Sequence, residues 1–431
     1  MSSEFLICLA VLFALAAIGA PIALSMIAAA IVYLALVGQD LALAAEQMLQ
    51  GLYTSFILLA VPLFIVAANI MNAGTISDRL LNFCVALVGR FKGGLGHVNV
   101  LASLIFSGMS GSAIADAAGV GKIIIEMMTK NGRYSLGFAA AITAASATIG
   151  PIIPPSIPMV MYALVADTSV GYLFLGGILP GLLMGLVLMG MIVIIARRRD
   201  FAVEEPTPIR QLPGLTARAF PALLLPVILL FGIYGGVTTP TEAAAVAATY
   251  AFLLAAIVYR ALSWRGMYGI MSDSARSSAT VGLVIGGALI FNYIVASENI
   301  PNTISSLLQA TDLSPVGFLL IVNLLLLALG CVLDAATILL VIVPLFLPSC
   351  RTLGIDLVHF GVVVVVNTMI GLITPPYGIL LFVINATTGA PLRDIISEIW
   401  PFLLALIAAL LTITLMPDLV LWLPRLLGYK N

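Results

Sequence analysis

The chain has 431 residues, of which 62% are hydrophobic and 9% charged, and its mean hydropathy is +1.20. Soluble domains are about 45–50% apolar and about 25% charged, so a water-covered surface of this size is excluded. A net charge of −1, with no basic stripe and no aromatic platform, excludes a nucleic-acid partner, and residues 1–431 read as one integral membrane domain.

A helix that crosses a bilayer needs about 20 predominantly apolar residues. By that measure the sequence predicts spans at 5–37, 52–73, 136–166, 169–196, 218–237, 240–262, 275–297, 357–388 and 398–422. The first is longer than a secretory signal's core and no Lys or Arg precedes it, so a retained helix bent at Pro21 is expected. Two more stretches, 97–130 and 315–350, are apolar but interrupted by small residues and by Asp116 or Asp334. Each is too long for one span and its halves are too short to cross singly. Re-entrant helical hairpins are expected, because irregular backbone at membrane depth survives only where protein or a water-filled cavity satisfies it. The expected fold is all-α and polytopic, with about 9–11 transmembrane helices. The run from Arg197-Arg198-Arg199-Asp200 to Glu204-Glu205 reads as a cytoplasmic loop. Cys8, Cys84, Cys331 and Cys350 lack metal or disulfide spacing and read as small apolar filler.

The positive charges orient this arrangement. Arg79, Arg90 and Lys92 precede the first hairpin, and Lys130 and Arg133 follow it. With these inside, Arg197–Arg199, Arg210, Arg218, Arg260, Arg265, Arg276 and Arg393 also fall inside, while Arg351, Arg425 and Lys430 do not. The two hairpins then enter from opposite faces, as an inverted-topology repeat requires. The N-terminus is expected to be cytoplasmic and the C-terminus periplasmic.

The repeat is visible in the residues. ATIGPIIPPSIPMVMYALVADTSVG occupies 147–171 and NTMIGLITPPYGILLFVINATTGA occupies 367–390. Placing Pro154-Pro155 on Pro375-Pro376 sets an offset of 221, which also puts Gly150 on Gly371 and Ile153 on Thr374. The hairpin acids Asp116 and Asp334 lie 218 apart. The chain therefore divides into a first half (1–200, hairpin 97–130, broken helix 136–166), central connecting helices (201–270) and a second half (271–431, hairpin 315–350, broken helix 357–388).

Adjacent prolines remove two backbone donors and clash with the preceding turn, so each of these helices must unwind. The carbonyls freed near Gly150–Pro155 need a substitute partner, and a bound cation is one. The hairpin segment SGMSGSAIADAAG (107–119) offers Ser107, Ser110 and Ser112, and GCVLDAAT offers Gly330, Asp334 and Thr337. Hydroxyls and carbonyls are the oxygen ligands that hard cations take. The bland alternatives are a simple proline kink and close helix packing by small residues. Asp116 and Asp334 are either functional intramembrane acids or helix caps and ion-pair members. Lys122 is expected to snorkel to the cytoplasmic face rather than pair with Asp116.

Enzyme chemistry finds no support. His97 and His359 form no HExxH pattern, and neither a G-x-S-x-G elbow nor a Walker A motif is present.

GMSGSAIADAAGVG, GPIIPPSIPMVMYA and GLITPPYGILLFV together resemble the large membrane subunit of the tripartite ATP-independent periplasmic (TRAP) transporters. The resemblance runs over nearly the whole chain in motif order and spacing. It implies a bacterial inner-membrane secondary transporter of organic acids such as sialic acids or C4-dicarboxylates, working as a sodium-driven elevator. It also implies two partners: a four-helix small membrane subunit, expected here as a separate chain, and a periplasmic substrate-binding protein. Carried over by motif, one sodium site would use Ser110, Ser112, Gly150, Ile153 and Pro155. The other would use Gly330, Gly371, Thr374 and Tyr377. Substrate would lie between them near Ser156 and Asn367, where half-helix N-termini favour an anion. A stand-alone sodium- or proton-coupled anion symporter is the alternative, and a passive channel a more distant one.

Overall fold

The computed structural model describes residues 2–72, 75–199, 201, 207–310 and 313–430. Every regular element among them is helical. Among the described residues six helices are long and apolar enough to cross a membrane: Val170–Arg198, Leu212–Tyr234, Pro240–Val258, Trp264–Ser297, Ala335–Thr352 and Leu392–Leu415. Ala335–Thr352, the returning arm of the second hairpin, is thus longer than the half too short to cross that the sequence predicts. A seventh candidate, Ala42–Thr54 with Phe56–Met71, is bent by 75° at Ser55. The other apolar segments are shorter helices of 10–17 residues, so the remaining spans expected from the sequence are assembled from pieces. Asp200 and residues 202–206 of the charged loop lie outside the described residues.

Both expected hairpins fold back on themselves. In the first, Gly94–Ser110 ends at Gly111, whose φ of +60° turns the chain, and Ser112 caps the returning arm by accepting from the Ala115 N–H. The reversal is complete enough to bring Asn99 Nδ2 within 3.7 Å of Met128 Sδ. In the second, Pro315–Gly330 is followed by an arm capped by Asp334, which accepts from the Thr337 N–H at 3.2 Å. Phe318 and Phe346, near its two ends, sit with ring centroids 6.2 Å apart.

Both expected broken helices are broken where the prolines are. Leu136–Ala147 and Ile157–Ala166 flank the first break, and Leu357–Gly371 and Ile379–Thr388 the second. The Pro154–Pro155 and Pro375–Pro376 bonds are both cis. The returning arm of each hairpin also carries a five-residue π turn, Ala117–Gly121 and Ile338–Ile342, again 221 positions apart.

The two sets interlock reciprocally. Ile157–Ala166 packs on Leu357–Gly371 and on the π turn of the second hairpin, while Ile379–Thr388 packs on Leu136–Ala147 and on the π turn of the first. Tyr162 donates to the Leu357 carbonyl at 2.6 Å across this seam. Every residue of 137–147 and of 358–371 is buried. A helix apolar on all sides belongs at the centre of a bundle, and these two occupy it.

The chain's ends correct the sequence reading. Residues 5–37 are not one helix bent at Pro21 but two, Ser3–Ala17 and Ile22–Val37, folded against each other. A single helix would hold residues 2 and 33 about 46 Å apart. Instead the Ser2 N–H donates to Glu298 Oε2 at 3.0 Å and the Tyr33 hydroxyl to Glu298 Oε1 at 2.9 Å. Pro21 separates two helices because Gly19, at φ +88°, completes the reversal before it. The span 398–422 likewise ends at Leu415, and Pro417 starts a second helix that runs to Leu426.

Candidate functional site

Each hairpin tip rests on the unwound part of its own broken helix. At the first, a Cβ on Gly111 would collide with the Pro155 carbonyl, so only glycine allows this approach. Asp116 lies 4% exposed beside it and accepts a short hydrogen bond from the Ser110 hydroxyl through Oδ1. Its Oδ2 has no hydrogen-bond partner among the described residues and faces Gly150, where a Cβ would stand 2.5 Å away. The carbonyls of Gly150, Ile153 and Pro155 accept no hydrogen bond from a described residue. A buried carboxylate oxygen and several free carbonyls in one place form a set with a deficit of positive partners.

At the second tip the contact is backbone on backbone. A Cβ on Gly371 would lie 2.7 Å from the Gly330 Cα, and one on Gly330 would lie 3.0 Å from the Gly371 Cα. The Cys331 thiol lies 3.9 Å from the Pro375 carbonyl. Thr374 donates its hydroxyl to the Ile370 carbonyl at 2.8 Å, which leaves the hydroxyl oxygen's lone pairs available. The Thr374 and Tyr377 carbonyls accept no hydrogen bond from a described residue, and the Tyr377 ring is 60% exposed.

A cavity of about 220 Å³ lies between the two tips. Ser112 and Ala113 reach it from the first hairpin, Ile157 and Pro158 from the first broken helix, Asp334 and Ala335 from the second hairpin, and Ile379 from the second broken helix. These are the first residues of the four helical segments that restart after a break. Four N-termini therefore converge on one space. Each carries the positive end of a helix dipole, worth about 0.3–1 kcal/mol to a nearby anion. The remaining wall is apolar, from Pro151, Met161, Met369 and Leu372.

The sequence-derived residues distribute unevenly about this space. Ser112 and Asp334 line the cavity, whereas Ser110, Gly150, Ile153 and Pro155 lie behind the first tip, and Gly330, Gly371 and Thr374 behind the second. Ser156 and Asn367 are fully buried, and Asn367 Oδ1 has no hydrogen-bond partner among the described residues. Ser156 caps Ile157–Ala166, accepting from the Met159 N–H at 3.2 Å and donating to the Pro151 carbonyl. Asn367 donates to Asn323 Oδ1 at 2.8 Å and to its carbonyl at 2.9 Å. Neither lines the cavity between the tips.

Asp116 and Asp334 are not counterparts. In the offset of 221 set by both the prolines and the π turns, Asp116 corresponds to Thr337, and it is Thr337 whose hydroxyl donates to Asp334. Each tip is closed by a hydroxyl–carboxylate pair, Ser110 to Asp116 in one and Thr337 to Asp334 in the other. Lys122 is exposed and makes no ion pair with Asp116. Pro158, Ile379 and the π turns carried no signal in the sequence alone, since their role follows from which helix ends meet.

An all-helical bundle with paired hairpins and paired broken helices, converging on one internal cavity, defines a membrane transporter. The profile of the family described as "Tripartite ATP-independent periplasmic transporter, DctM component" matches residues 9–419. The sialic acid TRAP transporter large permease protein SiaM of Vibrio cholerae is 41% identical over 413 residues, covering 95% of this chain and 96% of that protein. The C4-dicarboxylate TRAP transporter large permease protein DctM of Pseudomonas aeruginosa is also 41% identical, over 86% of this chain and 87% of its own. The crystal structure of the Alcanivorax borkumensis YdaH transporter superposes with a TM-score of 0.63 at 16% identity, covering 87% of each chain, and so shares the fold. The chain belongs to the DctM-component family of tripartite ATP-independent periplasmic transporters. It is a multi-pass membrane transporter and not an enzyme.

Proposed function

We propose that this chain is the sodium-coupled large permease subunit of a TRAP transporter and imports a small organic acid of the sialic acid or C4-dicarboxylate type. The observation that carries the reading is the convergence of four helix N-termini on the cavity between the hairpin tips. The Asp334 carboxylate in its wall is engaged by the Thr337 N–H and hydroxyl and opposes part of that field. The other three helix ends are therefore what suit the space to a carboxylate, and its size suits a small solute.

Two sodium ions would sit behind the tips. The first would draw on Ser110 and Ser112, with the carbonyls of Gly150, Ile153 and Pro155 beside the unpartnered Asp116 Oδ2. The second would draw on Gly330, Gly371, the Thr374 hydroxyl and the Tyr377 carbonyl. Oxygen-only donor sets of this kind fit a hard cation. Bound there, sodium supplies the charge that holds a tip against its unwound segment. The chain's own residues then do three things: the glycines admit the contact, the hydroxyl–carboxylate pairs shape each tip, and the caps aim the N-termini at the substrate.

The matched offset of prolines and π turns, with the reciprocal packing, supports an inverted repeat. An elevator motion fits the separate apolar cluster that joins residues 5–34 to 284–295 and touches the broken-helix core through Met161 and Leu340. Lys and Arg placement favours a bacterial inner membrane with Arg265 and Arg276 inside. Glu298, at the far end of Trp264–Ser297, then faces the periplasm and carries Ser2 with it. The N-terminus therefore belongs on the periplasmic side, in place of the cytoplasmic side expected from a single first span. A four-helix small membrane subunit and a periplasmic binding protein complete the proposed system.

Reconstitution tests this. Sodium-driven uptake into proteoliposomes should appear only with the small subunit and the cognate binding protein present. Full uptake by this chain alone would favour a stand-alone symporter, and uptake indifferent to a sodium gradient would remove the coupling.

A further inference from the structure

A cavity of about 480 Å³, sharing no residue with the one between the tips, lies between the turn that leads into the first hairpin and the end of Val170–Arg198. Its wall is apolar, from Val88, Phe91, Met189 and Val193. Gly190 leaves a notch in that wall, since a Cβ there would meet nothing within 4 Å. Phe91 is 49% and Val193 41% exposed, so the groove opens sideways from the helix bundle. Lys92 and Arg197 stand at its mouth, both exposed, and neither makes an ion pair with a described residue. No carboxylate lines it; His97 is the other polar side chain, buried edge-on to Phe91 with centroids 6.4 Å apart. The walls are held together. A Cβ on Gly93 would come 3.0 Å from Ile192 Cγ2 and one on Gly96 3.2 Å from the same atom, so the hairpin's base is fastened to the long helix.

We propose that this cavity binds a phospholipid with an anionic headgroup, its phosphate held between Lys92 and Arg197 and one acyl chain lying in the groove past Gly190. The two halves of the site demand one ligand that is both anionic and apolar. A free phosphate would satisfy the cations but leave the groove wet, and a neutral lipid would fill the groove but leave two cations unanswered. Basic residues between helices at the cytoplasmic face are where anionic headgroups are drawn by the leaflet's own charge. The bound lipid ties the base of the first hairpin to Val170–Arg198.

Native mass spectrometry of the detergent-purified full chain tests the assignment, with phosphatidylglycerol, phosphatidylcholine and glycerol phosphate as probes. Phosphatidylglycerol should bind in preference to phosphatidylcholine, and glycerol phosphate should not displace it. Lys92→Gln and Arg197→Gln should each weaken phosphatidylglycerol roughly fivefold and leave phosphatidylcholine unchanged. Gly190→Leu should reduce phosphatidylglycerol binding with both charges intact, and the charge-preserving pair Lys92→Arg with Arg197→Lys should retain it. Thermal unfolding of each variant identifies any that fail to fold, and the Lys/Arg exchange then decides. Equal binding of the two lipids, efficient displacement by glycerol phosphate, or indifference to both Gln variants would overturn the proposal.

Discussion

Thr374 and Ile153 show how little separates the two proposed cation sites. They occupy matching positions, but only Thr374 brings a hydroxyl, and it already donates to the Ile370 carbonyl at 2.8 Å. Its oxygen is free to accept a cation without losing that bond. Thr374→Ala should therefore lower the apparent sodium affinity of uptake about tenfold, the effect of one lost charge-assisted contact of about 1.5 kcal/mol. A sodium titration of uptake that superposes on wild type would exclude the threonine as a ligand. The glycine pair is less forgiving. Gly371→Val places a branched Cβ 2.7 Å from the Gly330 Cα, so the second tip must lift off its unwound segment. Uptake should fall at least tenfold while detergent extraction and monodispersity stay normal; unimpaired transport would show that the tip contact is dispensable.

At the scale of elements, the site is made of helix ends. Each restarting segment needs a cap, and three of the four have a side-chain one: Ser112, Ser156 and Asp334. Gly378 fills the place before Ile379, with a φ of +44° and no side-chain bond. Ser112 lines the cavity while capping residues 113–129, so it links the helix dipole directly to the ligand space. Ser112→Ala should cost about 1 kcal/mol of cap energy and raise the KM for substrate severalfold with little change in expression. A KM equal to wild type, measured with saturating sodium, would separate that cap from anion binding. The π turns at Ala117–Gly121 and Ile338–Ile342 sit where the other half's broken helix crosses, and such turns re-aim the helix that carries them.

Across the whole molecule, Glu298 clamps the chain's beginning to the end of Trp264–Ser297. The Ser2 hydroxyl and N–H and the Tyr33 hydroxyl all donate to it. These bonds, the Ser2 hydroxyl first, hold the Glu298 carboxyl below the usual range. A carboxyl lowered in the folded state contributes stability that is fully present above its unfolded value near 4.3 and is lost as pH falls through the folded one. Wild type should thus lose more melting temperature between pH 7 and pH 4 than Glu298→Gln does, and should melt higher than that variant at pH 7. Parallel pH profiles for the two proteins would show that the clamp adds nothing to stability.

The hairpins and the two breaks were legible in the residues, because prolines, glycines and apolar run lengths act locally. The same locality explains the failures. Residues 5–37 read as one helix since nothing in a run of apolar residues states that Glu298 will gather both of its ends. Asp116 and Asp334 read as counterparts because their spacing is close to the repeat, yet one caps a helix and the other turns a bare oxygen toward Gly150. Ser156 and Asn367 sit in the right segments but point into the protein, a choice made by rotamers and neighbours. By itself the sequence determined that the backbone must unwind twice, since a proline pair cannot complete a helical ladder. Only the tertiary structure decided that the four restarted helices aim at one cavity, because where helix ends meet depends on packing between halves more than two hundred residues apart.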